Sequence, residues 1–204
     1  MKTALLTFSI FLLSVLTFGQ ERENYFATWS DTEIGGYVEL NGRATEIGAD
    51  TYSILGAKAV LVLNGKWGLG VTGSAFNYDE TLSALVDDGT YRLEAAYGGF
   101  FVERIFSINE NFKLSLSIGT GAGTAQYRYE KDYRKEKRWT DEYIDVVQFA
   151  FFEPGIEIEH RIAGNFWIGA AGTFRNTSPL ELLGTEDDFL QSWSAGLSVK
   201  YGIY

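Results

Sequence analysis

No cysteine occurs in the 204-residue chain. That removes disulfide scaffolds, thiolate metal sites, cysteine nucleophiles and lipid attachment at an N-terminal Cys. A single histidine, His160, cannot supply a three-histidine zinc site. Basic residues are outnumbered 17 to 27, a net charge of -10. A chain so short of positive charge cannot neutralise phosphates, which excludes nucleic acid as a partner. Only two prolines are present, Pro154 and Pro179, so little interrupts extended backbone. Beyond the N-terminus no apolar run approaches the ~20 residues of a membrane-spanning helix. What the chain has in quantity is glycine, 23 residues, and aromatics, 16%. That pairing leans toward curved, tightly packed β structure.

The N-terminus reads as an export signal. Met1-Lys2 gives a positive start, residues 4–18 are apolar apart from Thr and Ser, and Thr17-Phe18-Gly19 places small residues where a signal peptidase reads. Residues 1–19 are therefore expected to be a signal peptide, too short for a full helical span.

Eight later segments alternate with period two: 35–45, 53–63, 66–77, 91–106, 112–129, 145–162, 166–177 and 192–204. Every second connection is short. Asn64-Gly65 is a tight-hairpin signal because both residues accept positive φ; 107–111 and 163–165 are the other short ones. The longer connections, near 46–52, 78–90, 130–144 and 178–191, then all fall on one side of an up-and-down meander. Within the last, Ser178-Pro179-Leu180-Glu181 is a candidate helical turn. In the last segment Trp193, Ala195, Leu197, Val199, Tyr201 and Ile203 form one face, and Ser and Gly with Lys200 the other.

Such a pattern folds either with its apolar face inward, as a soluble barrel or sandwich, or with that face outward in lipid. The polar face decides between them. A solvated face is rich in charge, whereas this one is mostly Gly, Ser and Ala with about one charge per strand, suited to the narrow lumen of an eight-stranded barrel. Aromatics at the segment ends, among them Trp67, Phe112, Phe166 and Tyr201 at the short turns and Trp193 at the long connections, read as two girdles flanking an apolar band. Phe76, Trp167 and Tyr204 join them by position, although Tyr204 falls one residue off the alternation and is expected to fray.

On these features, together with the aromatic C-terminal stretch Leu197-Ser198-Val199-Lys200-Tyr201-Gly202-Ile203-Tyr204, the chain resembles the small eight-stranded outer-membrane β-barrels of Gram-negative bacteria, of OmpA- and OmpX-like architecture. The resemblance is architectural. It implies an all-β, antiparallel up-and-down transmembrane barrel over residues 35–204, a periplasmic N-terminal segment over 20–34, and a location in the outer membrane. It also implies a monomer in contact with the lipid bilayer and lipopolysaccharide, and an aromatic C-terminal strand read by the outer-membrane assembly machinery.

The lumen phase is assigned Glu39, Arg43, Lys58, Arg92, Glu94, Lys113, Glu157, Arg175 and Lys200. Isolated charges in a narrow lumen are costly, so these are expected to form an ion-pair network that blocks large solutes. Phe151-Phe152-Glu153-Pro154 breaks the alternation and suggests a bulge or strand edge, leaving facing before Phe152 unassigned. The connection over 78–90 carries Asp79, Glu80, Asp87 and Asp88 without a base, but no cation-loop spacing. No cofactor, metal or catalytic group is assigned; His160 sits by a short turn with no serine placed to use it. The expected function is a structural, adhesive or surface-interaction role through the long connections. The alternatives are a small pore or transport component, or a soluble periplasmic barrel holding an apolar ligand.

Overall fold

Period-two patterning without helical stripes yields eight strands. In the computed structural model, which describes residues 32–47, 50–80, 90–130, 143–181 and 187–204, they are β1 (Ile34–Ile47), β2 (Asp50–Leu63), β3 (Trp67–Glu80), β4 (Thr90–Ser107), β5 (Phe112–Glu130), β6 (Tyr143–Ala163), β7 (Phe166–Thr177) and β8 (Ser192–Ile203). Each pairs antiparallel with its sequence neighbour and β8 closes on β1, so no sheet edge is left open. Residues Glu33–Tyr204 form one unit. The signal peptide expected over 1–19, and all but the end of the 20–34 segment, lie outside the described residues. So does much of the long connections.

The register fixes the barrel's shape. Partners traced once around the barrel run from Ile34 through Leu63, Trp67, Arg104, Leu116, Ile156, Gly172 and Ala195 to Ala44, a shear of ten residues. For eight strands that implies a tilt of about 40° and an interior that side chains can fill.

Turn chemistry sets the short end. Asn64 and Gly65 take φ of 53° and 61°, the left-handed central pair of the turn that the Lys66 N–H closes on the Leu63 oxygen at 3.0 Å, within a three-residue connection from Leu63 to its partner Trp67. Asn109 Oδ1 accepts from the backbone N–H groups of Asn111 and Phe112, both at 2.9 Å, closing the β4–β5 turn. The candidate helical turn over 178–181 does not form; the segment is irregular and Leu180 is buried inside.

Two departures concern β6. Its alternation continues unbroken through Phe151 (inward) and Phe152 (outward), and Pro154 stays in register with Ile118 of β5. Pro154 is tolerated because the β6–β7 ladder is interrupted there: Phe152 pairs with Asn176 and Gly155 with Thr173, and neither Glu153 nor Pro154 pairs with β7. Register shifts instead sit at Tyr127/Arg128 and Arg161/Ala163, next to the connections.

Candidate functional site: side chains of the barrel lumen

The inward phase of each strand converges on the barrel axis in three tiers. Nearest the short turns, Tyr37, Val60, Val62, Phe101 and Ile105 form an apolar cluster, with Tyr204 packed against it. Nearest the long connections, Ile54, Phe76, Leu93, Phe149 and Phe151 form a larger one, completed by Leu180 and Leu190. Charged side chains fill the space between and edge into both.

Lys200 is the hub of the lower charges. It is fully buried, with Nζ 2.9 Å from Glu157 Oε2, 2.9 Å from Glu159 Oε1 and 3.5 Å from Glu39 Oε2. Lys58 lies 3.0 Å from Glu39 and 3.9 Å from Glu157, tying β2 to the same group. Hydroxyls supply further donors: Ser198 to Glu157, Ser115 to Glu159 at 2.8 Å, and Tyr204 to the other Glu159 oxygen at 2.5 Å. Tyr37 donates to Glu103 at 2.9 Å. Glycine makes these approaches possible. A Cβ at Gly169 would collide with the Glu157 carboxylate and the Ser198 hydroxyl, and one at Gly68 with the Glu103 side chain.

The upper charges centre on Tyr97. Its hydroxyl donates to Glu153 Oε2 at 3.0 Å and accepts from both Arg43 and Arg175 at 3.1 Å. Arg43 also pairs with Glu153 Oε1 at 2.6 Å and donates to Ser74 and Thr173 at 2.9 and 3.0 Å. Between this group and Lys58–Glu39 lies an enclosed space of about 30 Å³ bounded by Asn41, Thr72 and Ser117. That is room for a water or so and not for a solute. Five carboxylates (Glu39, Glu103, Glu153, Glu157, Glu159) face five bases (Arg43, Lys58, Lys113, Arg175, Lys200) across the lumen, so its formal charge among the described residues is zero.

Of the charges assigned to the lumen from sequence, Glu39, Arg43, Lys58, Lys113, Glu157, Arg175 and Lys200 lie inside. Glu94 does not. It belongs to the outward phase of β4, where it pairs in register with Gln126 and accepts its amide at 3.1 Å. Arg92 stands in β4 opposite Asp79 and Arg128, and its side chain lies outside the described residues. The inward phase of β4 is the other one: Leu93, Ala95, Tyr97, Phe101, Glu103 and Ile105. Glu103, Glu153, Glu159 and the tyrosines Tyr37, Tyr97 and Tyr204 also lie inside, and the assignment from sequence does not include them. The parity conflict between Glu94 and Glu103 on one strand was the available signal for the first. Tyr204 does not fray. Its backbone oxygen accepts from Lys113 Nζ at 2.5 Å and its ring packs 4.9 Å from Tyr37 and 5.6 Å from Trp167.

The outer wall is the reverse of the lumen. Leu40, Leu55 and Leu197 are each about 70% exposed, and Val38, Leu61, Val71, Phe100 and Val199 face outward with them. Trp67, Phe112, Phe166 and Tyr201 are exposed at the short-turn rim and Trp193 at the other, several of them in ring pairs: Phe166 with Tyr201 at 4.8 Å, Phe174 with Trp193 at 4.9 Å. Phe76 and Trp167 leave the girdles. Both point inward, under Arg175 and Lys113 respectively. His160 is exposed at the short-turn rim, stacked on Phe112 at 4.4 Å, with Nδ1 3.2 Å from the backbone oxygen of Asn111.

No protein-family model and no curated protein sequence matches the chain. Solved structures do. Ail, the attachment invasion locus protein of Yersinia pestis, in complex with the heparin analogue sucrose octasulfate, superposes with a TM-score of 0.52 at 14% identity, over 83% of this chain and 98% of its own. The N-terminal β-barrel domain of Pseudomonas aeruginosa OprF gives 0.46 at 14% identity over 82% and 99%, and Neisserial surface protein A 0.47 at 11% over 84% and 97%. The likeness to Ail runs along nearly the whole of that protein and agrees with the closed eight-strand topology: the chain has the fold of the small eight-stranded outer-membrane β-barrels.

Proposed function

We propose that the chain is a monomeric integral protein of the bacterial outer membrane, closed to solutes, that acts as a structural or surface-interaction element through its long connections and not as an enzyme. The observation that carries this reading is the inverted distribution of polarity. Leucine is about 70% exposed at Leu40, Leu55 and Leu197 while Lys200 and Arg175 are fully buried. In water that arrangement forfeits burial of the outer apolar side chains, at roughly 25 cal/mol per Å². Against acyl chains the exterior is matched, and a closed barrel presents no open sheet edge to hydrocarbon.

The balanced charges and the two apolar clusters support closure over conduction. In this reading lipopolysaccharide borders the rim at the long connections, and the C-terminal strand is what the assembly machinery handles. The complex with a sulfated sugar concerns Ail. Here the 78–90 connection has four acids and no base, which disfavours polyanions as its partners.

Reconstitution tests the proposal. Refolded protein should migrate differently in unboiled and boiled gel samples and should show no discrete conductance steps in planar bilayers. A detergent-free soluble monomer with unchanged mobility would overturn the membrane assignment; regular single-channel steps would overturn the closed lumen.

A further inference from the structure

The upper half of the lumen contains a charge that its surroundings do not settle. Arg175 is fully buried, its guanidinium 5.3 Å from the Phe76 and Tyr97 ring centroids. Among the described residues no carboxylate is within ion-pair distance of it, and Glu153, one hydrogen bond away through Tyr97, is already held by Arg43. The upper charges are therefore two guanidiniums to one carboxylate.

The donors are filled unevenly. Nη1 donates to Tyr97, Nε donates to the backbone oxygen of Leu190 at 2.8 Å, and Nη2 has no hydrogen-bond partner. Nε and Nη2 form the side-on fork of a guanidinium, the edge that takes both oxygens of a carboxylate. One neutral carbonyl oxygen occupies half of it. The Leu190 side chain behind that carbonyl is buried among Ile54, Phe76, Leu93, Phe149 and Phe151, with Leu180 beside it. Thr177, next inward along β7, has a buried hydroxyl also without a partner.

A carbonyl on a cation with an apolar chain running from it is the outline of an amphiphile. We propose that the long-connection half of the lumen is a binding site for a single-chain carboxylate of the fatty-acid class. Its carboxylate takes the Nε–Nη2 fork of Arg175, and its hydrocarbon chain takes the place of the Leu190 and Leu180 side chains. Two bonds to an ionised acceptor replace one to a neutral carbonyl, and a buried cation gains its counter-ion. The site lies inside the barrel, where Leu180 and Leu190 of the 178–191 connection reach the lumen, and it adds a ligand to the surface role proposed above.

Methyl-labelled protein in a neutral detergent, titrated with decanoate, decanol or acetate and observed by NMR, tests it. Decanoate should shift the Leu180 and Leu190 methyl signals saturably, while decanol, lacking the charge, and acetate, lacking the chain, should leave them in place. R175Q that retains heat-modifiable mobility should bind decanoate at least about tenfold more weakly. L190A, which removes the competing side chain and keeps Arg175, should bind it several-fold more tightly. No decanoate shift, equal shifts with decanol, or an L190A midpoint equal to or weaker than that of the parent would each overturn the proposal.

Discussion

Replacing Lys200 with methionine removes the hub of the lower charges while nearly preserving side-chain length. Three carboxylates lose their common partner: Glu157 and Glu159 at 2.9 Å and Glu39 at 3.5 Å. Lys58 still reaches Glu39 at 3.0 Å and Glu157 at 3.9 Å, so those two keep partial compensation. Glu159 is left with the hydroxyls of Ser115 and Tyr204. Breaking a buried pair from one side typically costs about 3–5 kcal/mol, because the surviving charge stays buried. The folding equilibrium should therefore fall by roughly 10²–10⁴-fold, at 1.4 kcal/mol per tenfold change. Urea unfolding in lipid vesicles, followed by tryptophan fluorescence and unboiled gel mobility, reads this directly. The double variant K200M/E159Q should recover more than half the loss, because the carboxylate left without a base is neutralised. A K200M protein within about 1 kcal/mol of the parent, or no recovery in the double variant, would show that the network does not hold the lumen closed as described.

Other perturbations probe other levels of the structure. Leu197→Arg puts a charge on the exposed apolar band and should cost about 2–4 kcal/mol in bilayers, against about 0–1 for Trp67→Arg at the rim; equal costs in the same urea assay would contradict the band. Gly169→Val forces side-chain volume into Glu157 and Ser198 and should destabilise by about 1–3 kcal/mol, with little change if the lumen is roomier than the packing indicates. Gly65→Val places a β-branched residue at a φ of 61° and should cost at least about 1–2 kcal/mol and slow refolding, measured by stopped-flow tryptophan fluorescence.

The number and order of strands were legible because a strand between lipid and a polar lumen alternates cleanly, as β8 does. Legibility failed where the lumen itself is apolar. In β4, Leu93, Ala95, Tyr97 and Phe101 face in while Phe100 and Val102 face out, so alternation carries no sign, and the charge of Glu94 marks the outward phase as polar. In β6, Phe149 and Phe151 are inward members of the same cluster, and the adjacent Phe151-Phe152 pair looked like a bulge when it is an unbroken strand with apolar residues on both faces. Position near a strand end could not tell an outward girdle residue such as Trp193 from inward Phe76 or Trp167. The difference is one residue of phase. Glu153 and Tyr97 meet from strands 56 residues apart, a proximity that only the closed register reveals.

The orientation of adjacent side chains in β2 offers the most direct test of the whole account. Ile54 and Leu55, and Val60 and Leu61, are sequence neighbours of near-equal polarity, yet Ile54 and Val60 are buried in the lumen while Leu55 and Leu61 are 70% and 63% exposed. With the protein in bilayers doped with an acyl-chain nitroxide, the methyl signals of Leu55 and Leu61, along with Leu197 and Val199, should broaden while those of Ile54, Val60 and Val62 stay sharp. Broadening of Ile54 and Val60 with Leu55 and Leu61 unaffected, or broadening of Leu55 and Leu61 only by a water-soluble relaxation agent, would contradict it.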